Sequence, residues 1–284
     1  MRKLMYLSAM VVLTLLTVFV TTACKDRAAN GGNGDEGDST SVDSLSSDSL
    51  DTEGLESVMP DGADELFDDF FFNFAANKQL QYQRIVFPLP VNNGKQTRQI
   101  TKQQWQMDYF FMEQGYYTLI LDNIKQLELA NDTAMKHVII ERIQLDSRNV
   151  RQYVFDRKNG LWMMTSINEN SSYMPANASF LQFYEKFAAD EDFQIKSMDN
   201  LVTFTGPDPD DDFSTITGQI APEQWPAFKP SVIPEGTLYN IIYGQDYKDA
   251  GHKVLLIRGI ANGVESELTF KKKGNAWKLV KFNC

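Results

Sequence analysis

Two stretches of this chain carry the same amphipathic pattern. Phe67, Phe70, Phe71 and Phe74 recur at i, i+3, i+4 and i+7, which puts four rings on one face of a helix. The pattern returns 113 positions later as Phe180, Phe183, Tyr184 and Phe187, and Ala75, Ala76 and Gln81 are matched by Ala188, Ala189 and Gln194. Further on, Ile100 to Trp105 parallels Ile220 to Trp225 at an offset of 120, and Phe155 and Trp162 match Phe270 and Trp277 at an offset of 115. Preserved order with shifting offsets means an internal duplication with loops of unequal length. Asp61 or Gly62 can open the first helix, with Asp64 and Glu65 well placed in its first turn. Thr101 with Gln104 reads as a capping box for a second helix reaching about Gln114, whereas Pro226 should cut its counterpart short.

Behind each helical part the period changes to that of strands. Tyr116–Asp122, Val138–Leu145, Val150–Asp156 and Leu161–Ile167 are β-rich in the first copy, as are Leu238–Tyr243, Val254–Ile260, Val264–Phe270 and Ala276–Phe282 in the second. Asn262-Gly263, Asn159-Gly160 and Gly274-Asn275 supply turn chemistry between them. An aromatic-faced helix is not stable alone, so the expected fold is α+β: a helix packed on a curved antiparallel sheet, twice in tandem. The expected units are residues 62–170 and 176–284, with Trp105 and Trp225 anchoring packing between them or against the helices. The connector is short and polar, so a fixed pseudo-symmetric pair is expected.

The first 61 residues belong to neither copy. Arg2 and Lys3 precede an apolar run from Leu4 to Val20, then Thr21-Thr22-Ala23 leads into Cys24. This order resembles a bacterial lipoprotein signal, with residues 1–23 removed and Cys24 lipidated. Thr21 stands where the usual motif has Leu, so an ordinary secretion signal and a retained anchor helix are the other readings. All three put the folded part outside the cytoplasm. Residues 24–61 read as an acidic, disordered tether: from Ala28 to Gly62 there are nine acidic residues and no Lys, Arg or aromatic. That stretch accounts for most of the net charge of −11. Asp38-Ser39-Thr40, Asp43-Ser44-Leu45 and Asp48-Ser49-Leu50 resemble the O-glycosylation acceptor of Bacteroides-type bacteria, as does Asp132-Thr133-Ala134, making Ser39, Ser44, Ser49 and Thr133 candidate acceptors. Two cysteines, Cys24 and Cys284, argue against a disulfide framework, and a lipidated Cys24 could not pair, so Cys284 is expected as a thiol at a chain end.

The helix-then-meander pattern resembles the nuclear transport factor 2-like (cystatin-like) roll. With the lipoprotein-type leader, the tether and the run Leu80-Gln81-Tyr82-Gln83-Arg84-Ile85-Val86-Phe87-Pro88-Leu89, the chain resembles Bacteroides-type lipoproteins of domain of unknown function 4348. The second copy departs from that run, with Ser197-Met198-Asp199-Asn200 in the place of its Arg-Ile-x-Phe part. The resemblance implies tandem rolls on an outer-membrane lipid anchor, and no chemistry.

Candidate chemistry is sparse. The two histidines, His137 and His252, precede equivalent hairpins, which suggests a shared place at a strand start. Asp208, Asp210, Asp211 and Asp212 lack the Gly and distal Glu of a calcium loop, so no metal is expected. Lys271, Lys272, Lys273, Lys278 and Lys281 form one basic patch on an acidic exported chain, which argues against nucleic acid. No cofactor motif occurs. Rolls of this kind leave a cone between helix and sheet, and Tyr117, Arg142, Tyr153, Tyr239, Tyr243 and Arg258 are the candidate pocket-lining residues. The expected function is a non-catalytic, membrane-anchored binding module for a protein, glycan or small ligand. The alternative is a hydrolase or isomerase using a buried acid with a Tyr or His.

Overall fold

A computed structural model describes residues 62–208, 210–248 and 251–284, without the side chain of Asp212. The leader, Cys24, the tether and Ser39, Ser44 and Ser49 lie outside the described residues. The first copy contains α1 (Phe67–Ala76), α2 (Lys78–Arg84), β1 (Leu89–Asn92), β2 (Thr97–Ile100), β3 (Tyr116–Leu121), β4 (His137–Gln144), β5 (Val150–Lys158) and β6 (Leu161–Asn170). The second repeats this order: α3 (Pro175–Ala189), α4 (Glu191–Lys196), β7 (Met198–Asp208), β8 (Asp211–Ile220), a short α5 (Trp225–Phe228), then β9 (Thr237–Ile242), β10 (His252–Gly259), β11 (Glu265–Lys273) and β12 (Ala276–Asn283).

The copies do not build separate sheets. One twelve-stranded sheet runs in the order β2-β1-β6-β5-β4-β9-β3-β10-β11-β12-β7-β8. Self-contained copies would pair β3 with β4 and β9 with β10. Instead β9 of the second copy pairs with β4, and β3 of the first pairs with β10. The third strands are exchanged, and they touch each other as a parallel pair at Thr118 and Asn240.

Two cores lie on opposite faces of this sheet. Leu119 and Leu121 join the cluster around the Phe row of α1, whereas Ile120 joins the cluster around α3. Val254 and Leu256 likewise separate from Leu255 and Ile257, as alternating side chains must. The central strands are therefore covered on both sides, which explains their near-continuous apolar runs.

The Phe row packs as anticipated. Phe67, Phe70, Phe71 and Phe74 all contact Phe155 with ring centroids 5.4–6.1 Å apart, and Phe67 meets Trp162 edge-on. Phe180, Phe183 and Phe187 surround Phe270 in the same manner. Gln81 donates to the Phe74 carbonyl and accepts from Trp105 Nε1 at 3.2 Å, and Gln194 does the same for Phe187 and Trp225, the latter at 2.8 Å. Both tryptophans thus anchor to the helices of their own copy.

Thr101 to Gln114 is not a helix. Thr101 N–H does bond to Gln104 Oε1 at 2.9 Å, but only one turn follows. Asp108 N–H is taken by Gln81 and Phe110 has φ 50°, so the helical ladder cannot continue. This irregular segment delivers Phe110 and Phe111 into the first core. The loop around Asp208–Asp211 is the tip of the β7–β8 hairpin, two strands that periodicity does not reveal because β8 lies at an exposed sheet edge. At the chain end Cys284 is disulfide-bonded, contrary to the sequence-based expectation.

Candidate functional site

The strand exchange gathers the six candidate residues on one face. Arg142 lies directly opposite Tyr239 on β9, and Tyr117 opposite Arg258 on β10. The β3–β9 register brings Tyr239 beside Tyr117. On the outer flanks Arg142 faces Arg151, which faces Glu169, and Arg258 faces Glu265. A polar row Glu169-Arg151-Arg142-Tyr239-Tyr117-Arg258-Glu265 thus crosses seven strands at the rim of the first core. Tyr153 and Tyr243 lie on the same face, deeper in that core.

The tyrosines close the cone rather than line an open one. Tyr117 stacks on Phe111 at 5.0 Å, and Phe110 meets Tyr153 edge-on at 4.8 Å. Tyr153 donates to Asp108 Oδ2 and Tyr243 to Asp68 Oδ1, both at 2.6 Å. Burial, reinforced by neighbouring carboxylates, pushes the hydroxyl of Tyr117 up to about 12. Burial does the same for Tyr239, and raises Tyr153 and Tyr243 further. These phenols stay protonated at physiological pH, and those of Tyr153 and Tyr243 act as donors.

The recess lies where the row meets the β4–β5 turn. A pocket of about 530 Å³ is lined by Arg142, Arg151, Glu169 and Asn170, by Asn93 and Lys95 of the β1–β2 turn, and by Gln144 and Asn149. Of the six expected residues only Arg142 reaches it. Arg151, Lys95 and Asn170 were not singled out from the sequence, although strands predicted on either side of a short turn place Arg151 opposite Arg142. Arg98 and Arg151 share Glu169, at 3.0 and 3.5 Å, and Arg142 feels the charge of Asp108. Nε of Arg142, Nε of Arg151 and Nδ2 of Asn170 are all shielded from solvent with no protein acceptor. The guanidinium of Arg151 also lies 5.4 Å over the Tyr153 ring.

Neither histidine serves this pocket, and its one carboxylate, Glu169, is held by Arg98 and Arg151. His137 is exposed and bonds Asp156 at 2.8 Å. His252 bonds the backbone carbonyl of Asp122 and lines a separate recess with Gln126 and Lys248. Glu141 points to the opposite face, fully buried, accepting from Gln152 Nε2 and Asn240 Nδ2 at 2.9 Å each. Burial raises its pKa against those two hydrogen bonds. Asp68 is raised in the same way, by burial first.

The remaining candidates are structural. Asp208 accepts from Asp210 N–H, and Asp211 from Phe213 N–H, bonds that shape the hairpin tip. Among the described residues no group of three or more His, Cys, Asp or Glu could hold a metal ion. Lys273 pairs with Asp199, Lys281 with Glu267, and Lys272 lies over Trp277. Arg84 forms a two-pronged pair with Asp64 at 2.8 Å, fastening β6 to the start of α1. Thr133 is exposed just before β4.

The family model described as Domain of unknown function (DUF4348) matches residues 46–284. Among solved structures, the crystal structure of an NTF2-like protein from Bacteroides fragilis is similar to this chain at 41% identity and a TM-score of 0.72, over 78% of this chain and 96% of that one. The likeness gives the chain an NTF2-like α+β fold with a curved sheet. None of the curated proteins compared with it matches.

Proposed function

We propose that this chain, which belongs to the DUF4348 family, is a non-catalytic binding module held at the outer membrane of a Gram-negative bacterium by a lipid on Cys24. One observation carries the binding reading: the cone that NTF2-like rolls leave open is filled here by aromatic rings, and in the recess beside it the one carboxylate, Glu169, is held by Arg98 and Arg151. A pocket of that kind recognises a ligand and does not transform it.

The anchor rests on the order of charge, apolar run, small residues and cysteine. Cys24→Ser should release the protein from the membrane fraction. A serine variant that stays membrane-bound would refute the lipid anchor.

An enzymatic reading has one observation in its favour, the Asp68–Tyr243 pair with its raised carboxyl. Neither residue lines the arginine pocket. A solvent-deuterium exchange or turnover signal lost in Asp68→Asn, with the fold intact, would revive it.

A further inference from the structure

We infer that the pocket at the β4–β5 turn binds an oxyanion, a carboxylate, sulfate or phosphate group carried on a small polar molecule; this rests on the binding reading above. Arg142 and Arg151 are direct partners on adjacent antiparallel strands. Like charges in that position repel and destabilise a sheet unless something lies between them. The protein supplies little. Glu169 reaches Arg151 at 3.5 Å but is also held by Arg98 at 3.0 Å, and Asp108 is bonded by Tyr153. Four cations, Lys95, Arg98, Arg142 and Arg151, therefore stand around two carboxylates, within a chain whose net charge is −11.

The hydrogen-bond inventory points the same way. Three donors in this one pocket, Nε of both arginines and Nδ2 of Asn170, lack a protein acceptor. Native proteins leave few buried donors unmatched. Two adjacent guanidinium groups suit the two- and three-oxygen geometry of an oxyanion. The other walls, Asn93, Gln144, Asn149 and Ser171, offer amides and a hydroxyl to a polar body, and a volume of about 530 Å³ holds more than the acid group alone.

The test is calorimetric titration of the full mature chain with inorganic phosphate, sulfate, galacturonate and neutral galactose. At least one oxyanion should bind, with galactose tenfold weaker or worse, and affinity should fall as salt rises. Arg142→Gln and Arg151→Gln should each weaken the oxyanion at least tenfold. Lys95→Gln, in the exposed turn, should weaken it severalfold and decides the matter if the strand variants fail to fold. No oxyanion binding at about 10 mM, the range of the weakest specific sites, would overturn the inference. So would oxyanion binding that all three variants leave unchanged. Equal binding of galactose and galacturonate, lost in the variants, would remove the oxyanion and leave the binding module standing.

Discussion

Lys253→Met tests how firmly the two copies are interlocked. Lys253 on β10 lies opposite Asp122, just past the end of the exchanged strand β3, with Nζ 2.5 Å from Oδ1. Their side chains are 2% and 5% exposed. Asp122 Oδ2 also accepts Lys248 N–H at 2.5 Å, and the Lys253 ammonium lies 4.7 Å over the Tyr247 ring. Removing the lysine leaves a carboxylate buried without its cation, which costs about 3–5 kcal/mol. For a folded part of this size each kcal/mol lowers the melting temperature by about 2–4 °C, so a drop of roughly 6–20 °C is expected. Asp122→Asn alone removes the charge while keeping an acceptor for Lys248. In the double variant the orphaned charge is gone, and the cycle should show a coupling of roughly 2 kcal/mol or more. Scanning calorimetry should give one transition in every variant, because the pair joins strands from both copies. A Lys253→Met penalty below about 1 kcal/mol, the scale of an exposed pair, would refute the reasoning. Two separated transitions would refute the interlock itself.

Glu141 predicts a pH dependence. Its folded pKa is raised by burial, so between its unfolded and folded values the folded state holds the extra proton, and stability from this site falls as pH rises through that window. Urea unfolding from about pH 4 to 8 should show a flatter profile in Glu141→Gln, and an unchanged slope would exclude Glu141 as its source. Trp105→Phe and Trp225→Phe each remove a buried Nε1 donor from a glutamine, and each should cost about 1–3 kcal/mol in chemical denaturation. A loss confined to one copy would show that the duplicated bond is not duplicated in energy.

What the chain's own order of residues determined was local and repetitive. Ring spacing announced both helices, because a helix face must recur at 3.6 residues whatever lies opposite it. Eight strands were legible because buried strands need apolar, β-branched runs. Four others, β1, β2, β7 and β8, were not: β1 and β2 have four residues each, β8 lies at a sheet edge where burial imposes no pattern, and the alternation of β7 is broken by exposed Asn200 and Leu201 and by Gly206-Pro207. Two features belonged to tertiary structure alone. The exchange of β3 and β9 is invisible locally, since either strand shows the same alternation to either neighbour, and only the packing of α1 and α3 on opposite faces selects the partner. The candidate site has the same origin. Tyr117, Arg142 and Tyr239 were recognisable one by one, but the pocket arises where Arg142 meets Arg151, Asn170 and a turn some fifty residues earlier. Proximity between residues so far apart in the chain is set by the sheet, and it is that proximity which leaves two guanidinium groups short of acceptors.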